Sequence, residues 1–196
     1  MNESALRRLP LAAWLLALLL AACSTQSAPP PLAGASMGGP FTLTDQNGRR
    51  VSDRDLAGKY RLIYFGYTFC PDVCPVDMQV IGAGLRRFEA EDPARAAKVQ
   101  PIFITVDPQR DTPEQLKGYA ENFHPRLIAL TGSAAEIAEV ARAYKVFYQP
   151  VKQADGEYLM DHSSIVYLMG RDGRYVTHFG GNLTAEKMAA AITEHL

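Results

Sequence analysis

Short apolar runs alternate with segments of helical periodicity over most of the chain. The run at 61–67 is rich in β-branched and aromatic residues and predicts a buried strand, and residues 76–89 carry apolar side chains at helical spacing. Further strands are predicted at 101–106, 127–130, 164–169 and 175–179, and further helices at 112–123, 133–146 and 184–195. Strands separated by helices predict an α/β domain with a mixed central sheet flanked by helices.

A hairpin precedes this alternation. Two short strands are predicted within residues 41–51, on either side of the sequence DQNG at 45–48. Asn-Gly is typical of the tight turn that joins two antiparallel strands. The pattern therefore predicts an N-terminal hairpin extension of the sheet.

The amino-terminal residues have a different pattern. Two arginines precede the charge-free apolar run 11–22, which is shorter than the about 20 residues of a membrane-spanning helix and is typical of a signal peptide. The following sequence LAAC at 20–23 resembles a bacterial lipobox, in which the signal is cleaved before a cysteine that is then lipidated. We predict a lipoprotein signal peptide at 1–22 with lipidation at Cys23. An ordinary secretory signal and an uncleaved anchor are the alternatives.

Residues 23–40 are rich in Ser, Ala, Pro and Gly, which predicts a flexible tether, and residues 41–196 have the length of one ordinary domain. A lipid-anchored domain of this kind is expected in the bacterial cell envelope, facing the periplasm or another extracytoplasmic space, with the membrane as a partner. Removing the first 22 residues takes the formal charge from −1 to −2 and leaves no basic stripe. We therefore expect no nucleic-acid partner.

Cys70 and Cys74 are the cysteines of the predicted domain and lie at its first strand-to-helix junction. Residues at i and i+4 of a helix share a face, so both sulfurs reach one ion or each other. A helix N-terminus also favours the thiolate, which is both a nucleophile and a metal ligand. The pair therefore predicts a soft-metal site or a redox disulfide, and a purely structural disulfide is disfavoured because the loop it closes is short. With the pair at this junction, the layout resembles a thioredoxin fold.

A metal held by two thiolates needs a further ligand, and the chain has four histidines. His162 lies in an irregular run, 159–164, just before a hydrophobic strand, and in a thioredoxin fold this position faces the cysteine pair. His162 is therefore either a metal ligand or an ordinary polar loop residue. Asp161 beside it either positions the histidine or is a plain loop acid. The other histidines are predicted to be surface or strand residues: His124, His178 and His195.

Three separated motifs together resemble the Sco/SenC family of thioredoxin-like copper proteins, which assist assembly of the copper A centre of cytochrome c oxidase. The motifs are FCPDVCP at 69–75, VDPQRDTP at 106–113 and DHS at 161–163. They occur in the family's order, and the resemblance extends from about residue 41 to the carboxyl end. It implies a thioredoxin-like fold, copper as the bound metal and the copper A subunit of cytochrome c oxidase as the partner.

By this resemblance, Cys70, Cys74 and His162 are copper ligands. Two thiolates and an imidazole suit Cu(I), and with a further ligand they also suit Cu(II). Loading requires reduced sulfurs, so the resemblance also implies a thiol reductant, and a Cys70–Cys74 disulfide blocks copper binding. The family commonly has glutamate where this chain has Asp77, a change expected to affect the neighbouring helix surface rather than the ligands.

A thiol-disulfide oxidoreductase that reduces cysteines of an exported protein is the alternative function, with Cys70 as nucleophile. Two features disfavour it. Three residues separate the cysteines, rather than the two of a Cys-x-x-Cys redox motif. Ser163 and Ser164 also stand before the strand where thioredoxin-like reductases usually place a proline.

Overall fold

The computed structural model describes residues 37–180 and 183–196. The predicted signal peptide, the lipidation site Cys23 and most of the predicted tether lie outside the described residues. The last tether residues pack on the domain, since Met37 contacts the hydrophobic core and the Gly38 N–H donates to the Ala143 carbonyl at 2.9 Å. Among the described residues, no helix combines the length and apolarity that a bilayer crossing requires.

Nine strands and five helices make up the described chain. The strands are β1 (Thr42–Asp45), β2 (Arg50–Ser52), β3 (Tyr60–Gly66), β4 (Val99–Thr105), β5 (Ile128–Thr131), β6 (Tyr148–Lys152), β7 (Tyr158–His162), β8 (Ile165–Met169) and β9 (Tyr175–Gly180). The helices are α1 (Val73–Glu91), α2 (Pro93–Ala96), α3 (Pro113–Glu121), α4 (Ala134–Ala143) and α5 (Ala185–His195), and a 3-10 turn spans Asp53–Leu56.

Seven strands form one mixed sheet in the order β2-β1-β5-β4-β3-β8-β9. Its centre is parallel, because β3 pairs with β4 and β4 with β5 in the same direction, while β8 runs antiparallel to β3. The predicted N-terminal hairpin is present as β1 and β2, and Gly48 takes the positive φ of +77° in its turn. The predicted mixed sheet with flanking helices is confirmed.

The central strands are buried on both faces. Tyr64 and Phe65 are neighbours on β3, so their side chains point to opposite sides of the sheet, yet both are fully buried. Helices cover both sides of a sheet with parallel strands, so its strands have no polar face. This explains why 61–67 reads as a continuous apolar run.

A second, two-stranded sheet is formed by β6 and β7 and was not predicted. Tyr148 pairs with His162 and Lys152 with Tyr158 across this hairpin. Strand β6 is largely exposed and β7 is partly buried, but neither short strand has the apolar alternation by which a sequence predicts a strand. The prediction of an irregular run around His162 is therefore wrong, because His162 is the last residue of β7.

Candidate metal centre

The two cysteines lie at the junction of β3 and α1. Helix α1 begins at Val73, so Cys74 lies in its first turn, where backbone N–H groups have no helical partner. The Cys74 N–H donates to the Cys70 sulfur at 3.4 Å. Cys70 is half-buried and Cys74 fully buried, so one sulfur faces outward and the other lies beneath it.

His162 approaches the cysteines from β7. Its Nε2 lies 3.1 Å from the Cys74 Sγ, and its Nδ1 lies 3.1 Å from the Ser163 carbonyl. A carbonyl accepts only, so Nδ1 carries the proton and the Nε2 lone pair faces the sulfur. Single donor atoms of Cys70, Cys74 and His162 all lie within 4.8 Å of one another. The structure thus brings together the three side chains predicted as ligands.

The two thiols have opposite pKa shifts. The hydrogen bond from the Cys74 thiol, helped by the Cys74 N–H, lowers the pKa of Cys70 to about 3 although burial opposes this. Donation to Cys70 and burial raise the pKa of Cys74. The arrangement thus favours the thiolate at Cys70 and the proton at Cys74.

Two tyrosines fix the imidazole ring: Tyr64 lies in β3 and Tyr67 directly follows it. The Tyr64 and Tyr67 rings meet the His162 ring edge to face, at centroid distances of 6.3 and 5.9 Å and interplanar angles of 88° and 90°. Edge-to-face contacts favour one ring orientation over others. The rings therefore hold His162 in the orientation that directs its Nε2 at the Cys74 sulfur.

Asp77 joins the cysteine helix to the segment after His162. Its Oδ2 accepts hydrogen bonds from the Tyr64 hydroxyl at 2.9 Å and from the Ser164 hydroxyl at 2.5 Å. Ser164 is one of the two serines that stand where reductases usually place a proline. The difference between Asp77 and the usual glutamate therefore concerns a half-buried bridge beside the ligands, and not only the helix surface as expected.

The loop before the cysteines is anchored by Asp111, which is fully buried. Its carboxylate accepts from the Thr68 N–H at 3.0 Å, the Thr68 hydroxyl at 2.6 Å and the Thr105 hydroxyl at 2.5 Å. Burial raises the pKa of Asp111 while these bonds oppose the rise. The loop that presents Cys70 is thus tied to the end of β4.

Gly66, the last residue of β3, leaves space for the buried sulfur. A Cβ atom here would lie 3.0 Å from the Cys74 Sγ and 2.9 Å from a ring carbon of Tyr64. Both are closer than ordinary van der Waals contact, so any side chain would displace the sulfur. The sequence carries no signal for this role, because the requirement arises from a residue eight positions away.

The remaining candidates lie apart from the metal centre. Asp161 is exposed, and the carbonyl of Ser163 takes the positioning role on the imidazole. His178 is exposed on β9, as predicted, and His195 ends α5 half-buried. The prediction of a surface or strand place for His124 is wrong, because His124 is 3% exposed and bonded to Glu89.

Comparisons with known proteins identify a family that the chain matches. The SCO1/SenC family model matches residues 30–196. The human mitochondrial protein SCO1 homolog is 42% identical over 161 residues, which cover 82% of this chain and 53% of the human protein. The chain thus spans about half the length of this relative.

Solved structures extend the likeness to the fold. ScoI of Bradyrhizobium japonicum, solved with copper bound, is 49% identical with a TM-score of 0.74 and covers 82% of this chain and 99% of its own. BsSco, a member of the Sco family of cytochrome c oxidase assembly proteins in which a disulfide switch was identified, is 29% identical with a TM-score of 0.66, covering 87% and 98%. The predicted thioredoxin-like fold is confirmed. By its sequence and its fold, the chain belongs to the SCO1/SenC family.

Proposed function

We propose that this protein is a copper metallochaperone that binds copper through Cys70, Cys74 and His162 and delivers it to the copper A centre of cytochrome c oxidase. The observation that carries the proposal is the convergence of two sulfurs and one imidazole nitrogen within 4.8 Å. The copper-bound ScoI relative supports copper as the cargo. The BsSco relative supports oxidase assembly as the setting.

The donor set suits copper by its chemistry. Thiolates are soft ligands that favour Cu(I), and the imidazole lets the same site accept Cu(II) with a further ligand. The half-buried Cys70 gives an incoming metal access to one thiolate, while the buried Cys74 closes the site from below. Both sulfurs must be reduced for loading, so we propose a thiol reductant as a second partner.

Anaerobic copper titration of the reduced mature chain, with Cys23 replaced by serine, tests the proposal. We expect one tightly bound copper per chain and thiolate-to-Cu(II) absorption in the Cu(II) form. A Cys70→Ser, Cys74→Ser variant is expected to lose both, while the His178→Ala variant, altered at an exposed strand position, keeps both. Stoichiometric binding that survives loss of both sulfurs would overturn the ligand assignment.

Delivery requires contact with an acceptor. Exposed apolar side chains border the cysteine loop, with Phe69 46%, Val73 37% and Val76 59% exposed. Apolar exposure beside a site is typical of a surface that a partner covers. We expect copper-loaded protein to transfer its metal to the copper-free copper A domain, measured as metal in each protein after their separation. Retention of all copper by the donor would contradict delivery.

A thiol-disulfide oxidoreductase is the second candidate, and one observation favours it. Cys70 is half-buried with a pKa lowered to about 3, as for an attacking thiolate, and Cys74 lies behind it as a resolving thiol. His162 has no part in such a reaction, which favours copper handling. Turnover of a disulfide substrate by the copper-free protein, at rates equal in wild type and His162→Ala, would support the reductase.

We further propose that Cys23 anchors the domain to a membrane of the bacterial envelope through lipid. The lipobox-like sequence before it supports this proposal. Labelled fatty acid is expected to enter the wild-type protein and not the Cys23→Ser variant. Labelling of both would show that Cys23 is not the modified residue.

A further inference from the structure

The hairpin that carries His162 is not part of the main sheet. Strands β6 and β7 pair only with each other among the described strands, whereas the cysteines lie at the end of central strand β3. The sheet positions His162 through the two-residue link to β8, which pairs with β3, but it does not position the rest of the hairpin. Side-chain contacts between the hairpin and the cysteine loop therefore share in setting how far His162 lies from the sulfurs.

Arg110, in the loop between β4 and α3, lies where these parts meet. Its guanidinium carbon is 3.7 Å from the ring centroid of Tyr158, 4.9 Å from that of Phe69 and 5.7 Å from that of Tyr67. An arginine stacks on aromatic rings through both its charge and its planar shape. Phe69 directly precedes Cys70, and Tyr158 begins the strand that ends at His162.

Hydrogen bonds hold the guanidinium in this place. Its Nε donates to the carboxylate of Asp107, which is 3% exposed, and its Nη1 donates to the Tyr158 carbonyl at 3.0 Å. The Tyr158 hydroxyl donates to the other oxygen of Asp107 at 2.9 Å. The remaining nitrogen, Nη2, is buried and has no hydrogen-bond partner among the described residues. Both the stacking contacts and these hydrogen bonds therefore fix the Arg110 side chain.

We propose that Arg110 is a positioning residue that clamps the β6–β7 hairpin to the cysteine loop and thereby sets the distance between the His162 imidazole and the two sulfurs. This inference rests on the proposed copper function. Within the part of the chain that the structure describes, Arg110 has no hydrogen bond to a sulfur or to the imidazole, so it acts on copper through the placement of His162. The motif VDPQRDTP at 106–113, which carried part of the family resemblance, thus acquires a physical role through Asp107 and Arg110.

A double-mutant cycle tests whether Arg110 affects copper binding through His162. Arg110→Ala is expected to weaken Cu(II) binding by about 10-fold, the lower end for loss of a residue that orients a ligand, and to shift the thiolate-to-Cu(II) absorption. In the His162→Ala background, the same change should have no further effect on affinity, because no imidazole remains to be placed. Equal weakening in both backgrounds would overturn the proposal.

Two control variants test whether a folding defect explains the effect of Arg110→Ala. Arg110→Lys keeps the charge but lacks the planar fork, so it should fold normally and still shift the absorption towards that of Arg110→Ala. Arg174→Ala removes an arginine whose side chain is 89% exposed and should change nothing. A wild-type spectrum from Arg110→Lys would show that charge alone suffices and would overturn the clamp as described.

A measurement without copper separates this inference from the proposed function. In the metal-free protein, amide hydrogen exchange across β7 (Tyr158–His162) should be faster in Arg110→Ala than in wild type, while exchange in β3 stays unchanged. If wild type binds no copper, the proposed function fails, and faster exchange in β7 alone still supports the clamp. Unchanged exchange in β7 would overturn the clamp whatever the copper result.

Discussion

His162 and His124 are both histidines with hydrogen bonds to their rings, but they present opposite nitrogens. In His162, Nδ1 donates to the Ser163 carbonyl, and Nε2 offers its lone pair to the Cys74 sulfur at 3.1 Å. In His124, Nδ1 accepts the Arg126 N–H at 3.2 Å, so the proton lies on Nε2, which donates to Glu89 at 3.3 Å.

The difference shows what makes a histidine available to a metal. Both nitrogens of His124 are used within the protein, and Arg126 also pairs with Glu89. His124 therefore completes a buried polar network and stabilises the fold. Among the described residues, the His162 Nε2 lone pair faces the Cys74 thiol, and a thiol proton is readily displaced by a metal.

The largest expected effect concerns copper affinity. His162→Ala should weaken Cu(II) binding by about 100-fold or more, because loss of a ligand exceeds the 10–100-fold effect of its supporting residues. His124→Ala should leave the affinity unchanged. Competition titration of both variants measures this. Equal losses in the two variants would remove the distinction between the histidines.

The two histidine substitutions should affect stability in the reverse order. His124→Ala leaves the Arg126 N–H and a Glu89 oxygen without their partner, and should lower the free energy of unfolding by about 2 kcal/mol. His162→Ala should lower that of the metal-free protein by less, because its Nε2 bonds only to a thiol. Urea denaturation measures both, and a larger loss in His162→Ala would contradict the comparison.

Asp77 offers a smaller test of how His162 is held. Asp77→Ala removes the acceptor for Tyr64 and Ser164 and should weaken Cu(II) binding by about 10-fold. Asp77→Asn keeps an acceptor oxygen and should retain most of the affinity. If Asp77→Asn and Asp77→Ala bind copper equally weakly in competition titrations, the carboxylate charge matters rather than the bridge.

The smallest expected effect is on pH dependence. Burial lowers the pKa of His124 below its ordinary value of 6.5. Above about pH 6.5, His124 is neutral in the folded and unfolded chains, and its contribution to stability is complete. As the pH falls below that value, the unfolded chain takes up the proton first and stability is lost. His124→Gln should show a shallower loss between pH 6.5 and 5 in urea denaturation, and an unchanged slope would contradict this.

Much of the fold was predictable because its signals are local. The Asn47-Gly48 turn, the apolar run of β3 and the periodicity of α1 each lie within a few consecutive residues. Ser133 and Glu136 even form the capping pair that starts α4. The β6–β7 hairpin escaped prediction because β6 faces solvent and neither of the two short strands alternates apolar with polar residues.

The candidate site also combines residues that local sequence signals predict with residues that they do not. Cys70 and Cys74 were identified from their spacing, which an α-helix converts directly into proximity. His162 was selected by its position in an assumed fold, whereas His124 was misplaced because nothing in its neighbouring sequence indicates burial. Its partner Glu89 lies 35 residues away, and only folding brings the two together.

The sequence by itself determined the α/β architecture, the cysteine pair and the family, because these depend on periodicity, spacing and motifs read along the chain. Tertiary structure decided which histidine has a free lone pair, why Gly66 must lack a side chain, and how Arg110 joins the hairpin to the cysteine loop. These features depend on distances between residues far apart in sequence, and close packing determines such distances only once all the elements are assembled.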